Sequence, residues 1–122
     1  MRKFILTLVT VLSLGFVRAQ TSSFHDFSAP TIFQDTISMS RYYGKKLMVV
    51  NTASLCAYTP QFGDLETLYT DYQQYGFEII GFPCNDFANQ DPHDDSTINE
   101  FCTGNYNVTF QMMSKVHTVS GN

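Results

Sequence analysis

The sequence predicts an α/β domain whose central strands run parallel. Two compact apolar runs, residues 47–50 and 77–81, have the composition of strands buried on both faces. Between them, residues 59–76 carry apolar side chains at helical spacing. This strand–helix–strand order favours a parallel pair of strands joined by a crossover helix.

Signals at the helix ends set the expected boundaries. Thr59 and Pro60 are typical of an N-cap and a first helical residue, and Gly76 can close the first helix in a left-handed conformation. The second helix is expected over residues 95–103, with residues 97–100 forming a capping box. Three acidic residues lie around the start of this helix and are expected to be exposed to solvent: Asp91, Asp94 and Asp95.

The segments flanking this core are predicted to be extended. Residues 24–38 alternate loosely and contain Pro30, a pattern typical of short edge strands or a hairpin. Residues 108–110 are expected to be extended, and residues 115–119 to form a third strand. Three strands and two helices leave a sheet edge and part of one face uncovered, so the predicted α/β fold is incomplete.

Residues 1–19 have the pattern of a secretory signal peptide. Arg2 and Lys3 give the N-terminus a positive charge, residues 4–17 form an apolar run, and Ala19 is a small residue at the expected cleavage point. Because a membrane-spanning helix needs roughly 20 apolar residues, cleavage is favoured over an anchor. We therefore expect residues 20–122 to form one domain of a secreted or periplasmic protein.

Charge and cysteine spacing exclude several classes of function. The net charge is −4 and there is no basic run, which argues against nucleic acid as a partner and against a membrane once the signal peptide is removed. The three cysteines, Cys56, Cys84 and Cys102, match neither a CxxC pair nor a zinc site, and no metal or cofactor is expected. An odd count in an exported chain leaves one thiol free or in an intermolecular bond.

Cys56 is the strongest candidate for a reactive thiol. It follows the first buried strand and stands three residues before Thr59, where the free N–H groups and the dipole of the next helix favour a thiolate. Ligands of open α/β sheets gather beyond the carboxyl ends of the strands, which is where this loop falls. The alternatives are a small buried side chain or half of a structural disulfide.

Three segments resemble the glutathione peroxidase family. Residues 50–61 (VNTASLCAYTPQ) resemble the family's peroxidatic loop, and residues 81–92 (GFPCNDFANQDP) are similar to its second signature. Residues 105–110 (NYNVTF) also match. The resemblance runs from about Phe24 to Asn122.

The resemblance implies a thioredoxin-like fold and the reduction of hydrogen peroxide or organic hydroperoxides by a cysteine. Cys56 matches the peroxidatic cysteine or selenocysteine, and Gln90 matches the active-site glutamine. Cys102 lies where thioredoxin-dependent members carry the resolving cysteine, whereas Cys84 matches a cysteine that is not usually the nucleophile. The implied cycle forms a sulfenic acid that a thioredoxin-type dithiol or glutathione reduces, which is an antioxidant role.

The resemblance also implies elements that residues 1–122 do not contain. The family's later tryptophan and asparagine complete its catalytic tetrad, and the chain has no tryptophan. The final strands and helix are absent as well, so the expectation is an incomplete thioredoxin-like fold. Two alternatives are a non-catalytic, truncated thioredoxin-fold remnant and a thiol-bearing binding protein, and the lack of a CxxC pair disfavours a general disulfide exchanger.

Overall fold

The structure, a computed structural model, describes residues 22–118. The predicted signal peptide and its cleavage point lie outside the described residues, as does Val119. Within the described range, none of the helices has both the length and the hydropathy that a transmembrane segment requires.

The strands form two separate sheets. In chain order, the elements are β1 (Ser28–Pro30), β2 (Thr36–Ser38), β3 (Lys46–Thr52), α1 (Gln61–Tyr72), β4 (Phe77–Pro83), α2 (Asp95–Tyr106) and β5 (Gln111–Met112). The predicted hairpin is confirmed, because β1 pairs with β2 in antiparallel fashion. The predicted parallel sheet is also confirmed, with strand order β3-β4-β5.

The hydrophobic core is built around β4. Ile79 and Ile80 are both fully buried because successive side chains of a strand point to opposite faces and both faces are covered. On one face Ile79 packs with residues of both helices, among them Phe62 and Ile98. On the other face Ile80 packs with Met39 and its neighbours. In contrast, the prediction that residues 47–50 are buried on both faces is wrong. Val49 of β3 is 51% exposed because β3 is an edge strand with one neighbour within the described residues, and the predicted uncovered surface lies there.

The start of α1 differs from the prediction, because Thr59 does not cap the helix. The helix begins at Gln61, and Pro60 is the N-cap without a side-chain hydrogen bond. The Thr59 hydroxyl instead accepts from the Cys56 N–H at 2.8 Å and donates to the Ala53 carbonyl at 3.0 Å. The predicted N-cap is therefore wrong, because this hydroxyl stabilises the preceding turn and not the helix.

α2 begins at Asp95 as predicted, but its capping interaction and its end differ from the prediction. Asp94 is the N-cap, and its carboxylate accepts from the Thr97 N–H at 2.8 Å. This hydrogen bond lowers the pKa of the Asp94 carboxyl. The predicted capping box at residues 97–100 is wrong, because Thr97 already lies in the first turn. The helix continues to Tyr106 because Asn107 takes a left-handed conformation (φ 51°) that ends it.

The third strand lies earlier in the chain than predicted. It is β5, which pairs with Ile80 and Gly81 of β4. Gly81 allows this close approach, since a Cβ there would lie 2.6 Å from the sulfur of Met112. The predicted strand at residues 115–119 is wrong within the described range, where Val116 makes a single parallel bridge with Cys84.

Candidate active site

Cys56 lies in the turn between β3 and α1, at the carboxyl end of the sheet. Its thiol is free and half-buried. The sulfur accepts a hydrogen bond from the Tyr58 N–H at 3.5 Å, while the Cys56 carbonyl accepts from the Thr59 N–H at 3.0 Å. These contacts hold the turn tightly and leave the sulfur open to one side.

A cavity of about 300 Å³ opens beside this sulfur. Cys56 and Gln90 both line it, although they are far apart in the sequence. Apolar side chains of Phe62, Leu65 and Phe87 complete much of the wall. The cavity therefore places a thiol and an amide donor within one partly apolar space, which suits a small polar molecule with or without an apolar tail.

Hydrogen bonds join the segment of Gln90 to the turn of Cys56. The Leu55 N–H donates to the Gln90 carbonyl at 2.9 Å. The Ser54 N–H and the Ser54 hydroxyl both donate to Oδ1 of Asp91, at 3.2 and 2.5 Å. Asp91 is fully buried, so its predicted place in a solvated helix start is wrong.

The other two acidic residues of that helix start have defined partners. Asp94 caps α2, as described above. The Asp95 carboxylate accepts from the Lys115 N–H at 3.0 Å and from the side chains of Ser114 and Gln34. Asp95 therefore joins the start of α2 to the segment that follows β5.

The loop that leads to Gln90 contains two residues in a strained conformation. Ala88 and Asn89 have φ angles of 56° and 54°, in the left-handed region. Asparagine tolerates this region, whereas alanine pays a steric penalty there. Asn85 stabilises the loop, because its Oδ1 accepts from the Asp91 N–H at 2.9 Å and its amide donates to Asn89. The loop thus turns back and directs Gln90 towards β3.

Cys84 and Cys102 lie away from the cavity of Cys56. Cys84 is fully buried, and its N–H donates to the Thr52 carbonyl at 3.0 Å. Cys102 lies on α2 and is fully buried in the hydrophobic core. Its burial, and secondarily the charge of Asp91, raise the pKa of its thiol to about 12. All three thiols are free, and the cavity that Cys102 lines shares no residue with that of Cys56.

Among residues 22–118, no three side chains of histidine, cysteine, aspartate or glutamate are placed to hold a metal ion together. Nδ1 of His117 lies 3.0 Å from Oδ1 of Asp86, within hydrogen-bond distance. Cys56 and Gln90 could be identified from the sequence, whereas Asp91 and Ser54 could not. The contact between Asp91 and Ser54 joins residues 37 apart, so no local pattern could indicate it.

Comparisons with known proteins agree on one family. Residues 24–122 match the family model described as glutathione peroxidase. A glutathione peroxidase of Lactococcus lactis subsp. cremoris is 56% identical over 94 residues, which cover 77% of this chain and 60% of that protein. Glutathione peroxidase-like peroxiredoxin 2 of Saccharomyces cerevisiae is 43% identical over 102 residues, which cover 84% of this chain and 63% of that protein.

Two solved structures are similar to the fold. The apo form of Trgpx superposes with a TM-score of 0.60 at 33% identity, over 82% of this chain and 57% of that chain. A thioredoxin family thiol:disulfide interchange protein of Chlorobium tepidum superposes with a TM-score of 0.61 at 16% identity, over 74% of this chain and 57% of that chain. The second likeness concerns the fold alone.

The fold and the cavity define a thioredoxin-like α/β protein with a free cysteine at the carboxyl end of its parallel sheet, as the sequence predicts. Within that class, the chain belongs to the glutathione peroxidase family. It spans about 60% of the length of the curated relatives it matches.

Proposed function

We propose that this protein is a thiol peroxidase that reduces hydrogen peroxide or organic hydroperoxides at Cys56. The observation that carries the proposal is the shared cavity of Cys56 and Gln90, in a chain of the glutathione peroxidase family. The half-buried sulfur is accessible, whereas the other two thiols are buried. Cys56 is therefore the cysteine that a peroxide in solution can reach.

The first step is a displacement at the peroxide. The Cys56 thiolate attacks one peroxide oxygen, the S–O bond forms and the O–O bond breaks. The sulfur is oxidised to a sulfenic acid, and the departing oxygen leaves as hydroxide or alkoxide and takes a proton from water. The amide of Gln90 can donate a hydrogen bond to the peroxide and orient it, since donors aimed at developing charge lower the barrier.

The second step restores the thiol. We propose that the Cys102 thiol attacks the sulfenic acid, which forms a disulfide and releases water, and that a thioredoxin-type dithiol then reduces the disulfide. Cys102 is buried on α2 and its pKa is about 12, so this step requires α2 to loosen and expose it. Glutathione is the alternative reductant, because it can reach Cys56 without movement of α2.

Peroxide consumption with purified variants tests this function. We expect the wild-type protein to consume hydrogen peroxide in the presence of a thioredoxin system, and Cys56→Ser to abolish this consumption. Cys84→Ser is the matched control, because it changes a thiol outside the cavity, and it should keep the wild-type rate. Activity that survives in Cys56→Ser would contradict the proposal.

We further propose that residues 1–19 direct export and are removed after Ala19, which gives a secreted or periplasmic protein. The charged start and the apolar run of the leader support this proposal. N-terminal sequencing of the protein recovered outside the cytoplasm should begin at Gln20. Recovery of the uncleaved chain inside the cell would contradict it.

A further inference from the structure

Asp91 is a buried carboxylate without a charged partner. It is fully buried, and among residues 22–118 no lysine, arginine or histidine nitrogen lies within ion-pair distance of it. Lys115 is close, but its Nζ donates to the Asp91 carbonyl at 3.3 Å and not to the carboxylate. Because burial of an unpaired carboxylate lowers stability, the hydrogen bonds of this side chain need an explanation.

Those hydrogen bonds converge on the residue two positions before Cys56. Oδ1 accepts from both the N–H and the hydroxyl of Ser54, and the neighbouring Gln90 carbonyl accepts from the Leu55 N–H. The Asp91 backbone is itself fixed, by Asn85 at its N–H and by Lys115 at its carbonyl. Asp91 therefore joins a well-anchored loop to the turn that carries the thiol.

The pairing of β3 with β4 fixes the base of the turn relative to the base of the Gln90 loop, because these two strands lead into the two segments. Thr59 and Tyr58 bind Cys56 from within the same turn, so they shape the turn but do not place it. Beyond that strand pairing, the contacts of Ser54 and Leu55 join the turn directly to the segment of Gln90. Reactive groups must be held to within a fraction of an ångström, so loss of such a contact slows a reaction that needs both groups.

We propose that Asp91 is a positioning residue for peroxide reduction, which holds the Cys56 turn beside Gln90 through its contact with Ser54. This inference rests on the proposed function. The second carboxylate oxygen, Oδ2, has no hydrogen-bond partner within the described residues. Asp91→Asn therefore keeps the acceptor that Ser54 uses, whereas Asp91→Ala removes it.

The test compares two reactions of the same thiol. Oxidation of Cys56 by hydrogen peroxide uses Gln90 in our account, whereas alkylation by iodoacetamide needs only an accessible thiolate. We expect Asp91→Ala to lower the rate constant of oxidation by about 10- to 100-fold, since small misplacements have effects of this size. The alkylation rate should stay within about threefold of wild type, and Asp91→Asn should restore oxidation to within about fivefold.

A double-mutant cycle tests whether Asp91 acts through Ser54. Ser54→Ala removes one of the two donors and should lower the oxidation rate by about three- to tenfold, and it should have no further effect in Asp91→Ala. Gln90→Ala should likewise lose most of its effect in that background. If Asp91→Ala does not fold, as judged by circular dichroism, Ser54→Ala supplies the result, and a wild-type oxidation rate in it overturns the inference.

The possible outcomes separate this inference from the proposed function. A wild-type oxidation rate in folded Asp91→Ala overturns the positioning role and leaves the function of Cys56 intact. An equal fall in oxidation and alkylation also overturns it, because a general loss of thiol reactivity would then explain the effect. A wild-type protein whose Cys56 does not react with peroxide contradicts the proposed function and the inference together.

Discussion

Glu66→Ala is expected to destabilise the domain by about 2 kcal/mol. Glu66 lies on α1 and is only 9% exposed. Its carboxylate accepts from the Thr109 N–H at 2.7 Å and from the Thr109 hydroxyl, which holds the segment between α2 and β5 against α1. Each hydrogen bond to a charged group contributes about 1.5–3 kcal/mol, but the exposed Thr109 regains water in the variant, so the loss is less than the sum.

Thermal melting followed by circular dichroism measures this loss. For a domain of this size, about 2 kcal/mol corresponds to a decrease in Tm of roughly 8–16 °C. Glu66→Gln keeps an acceptor oxygen and should lose about half as much. Glu100→Ala is the matched control, because Glu100 is exposed on α2, and it should change stability by less than about 0.5 kcal/mol.

The double variant Glu66→Ala/Thr109→Ala tests whether Glu66 and Thr109 stabilise the fold through their mutual hydrogen bonds. If the two residues stabilise the fold through each other, Thr109→Ala should add little to the loss in Glu66→Ala. A Glu66→Ala protein that melts at the wild-type temperature would show that these hydrogen bonds do not hold the segment to α1.

Three further predictions follow from the thiols and the loop before Gln90. Because burial raises the pKa of Cys102 to about 12, its thiolate is scarce at neutral pH, and iodoacetamide at pH 8 should label it about 10³-fold more slowly in the native protein than in urea. Equal labelling rates would contradict this burial. Ala88→Gly should raise the unfolding free energy by about 0.5–1 kcal/mol in urea titrations, because glycine relieves the left-handed strain, whereas Ala57→Gly, outside that region, should not. Peptide mapping after peroxide treatment should recover a Cys56–Cys102 disulfide with Cys84 free, and a dominant Cys84–Cys102 peptide would overturn the assignment of the resolving cysteine.

The central part of the fold could be predicted because its signals are local. The apolar runs of β3 and β4 and the helical spacing between them need no distant partner to be recognised. Gly76 likewise shows the expected left-handed conformation (φ 79°), after a short 3-10 turn that extends α1. Local backbone chemistry and hydrophobic periodicity were sufficient for these elements.

The features that sequence analysis missed depend on contacts between distant segments. β5 is a two-residue strand whose place is set by pairing with β4, and its own sequence has little strand character. The Thr59 hydroxyl could serve either the helix or the turn, and only the folded turn decides between them. Asp91 is acidic and precedes Pro92, so no local signal indicates its burial, which accompanies contacts with the distant Ser54 and Lys115.

In the candidate site, too, the features with local signals could be predicted and those that depend on distant contacts could not. The position of Cys56 between a strand of the parallel sheet and a helix indicated a reactive thiol, and the resemblance indicated Gln90. That the two side chains share a cavity follows from the loop of residues 84–90, which turns back through left-handed residues and hydrogen bonds to the turn of Cys56. No sequence pattern reports such a path of the backbone.

Trapping the first intermediate tests the central claim most directly. The reduced protein is treated with one equivalent of hydrogen peroxide in the presence of dimedone, which reacts with sulfenic acids, and the adduct is mapped by mass spectrometry. We predict that the adduct forms on Cys56 and that Cys84 and Cys102 remain unlabelled, because only Cys56 is accessible from the cavity. An adduct mainly on Cys84, with Cys56 unmodified, would contradict the account.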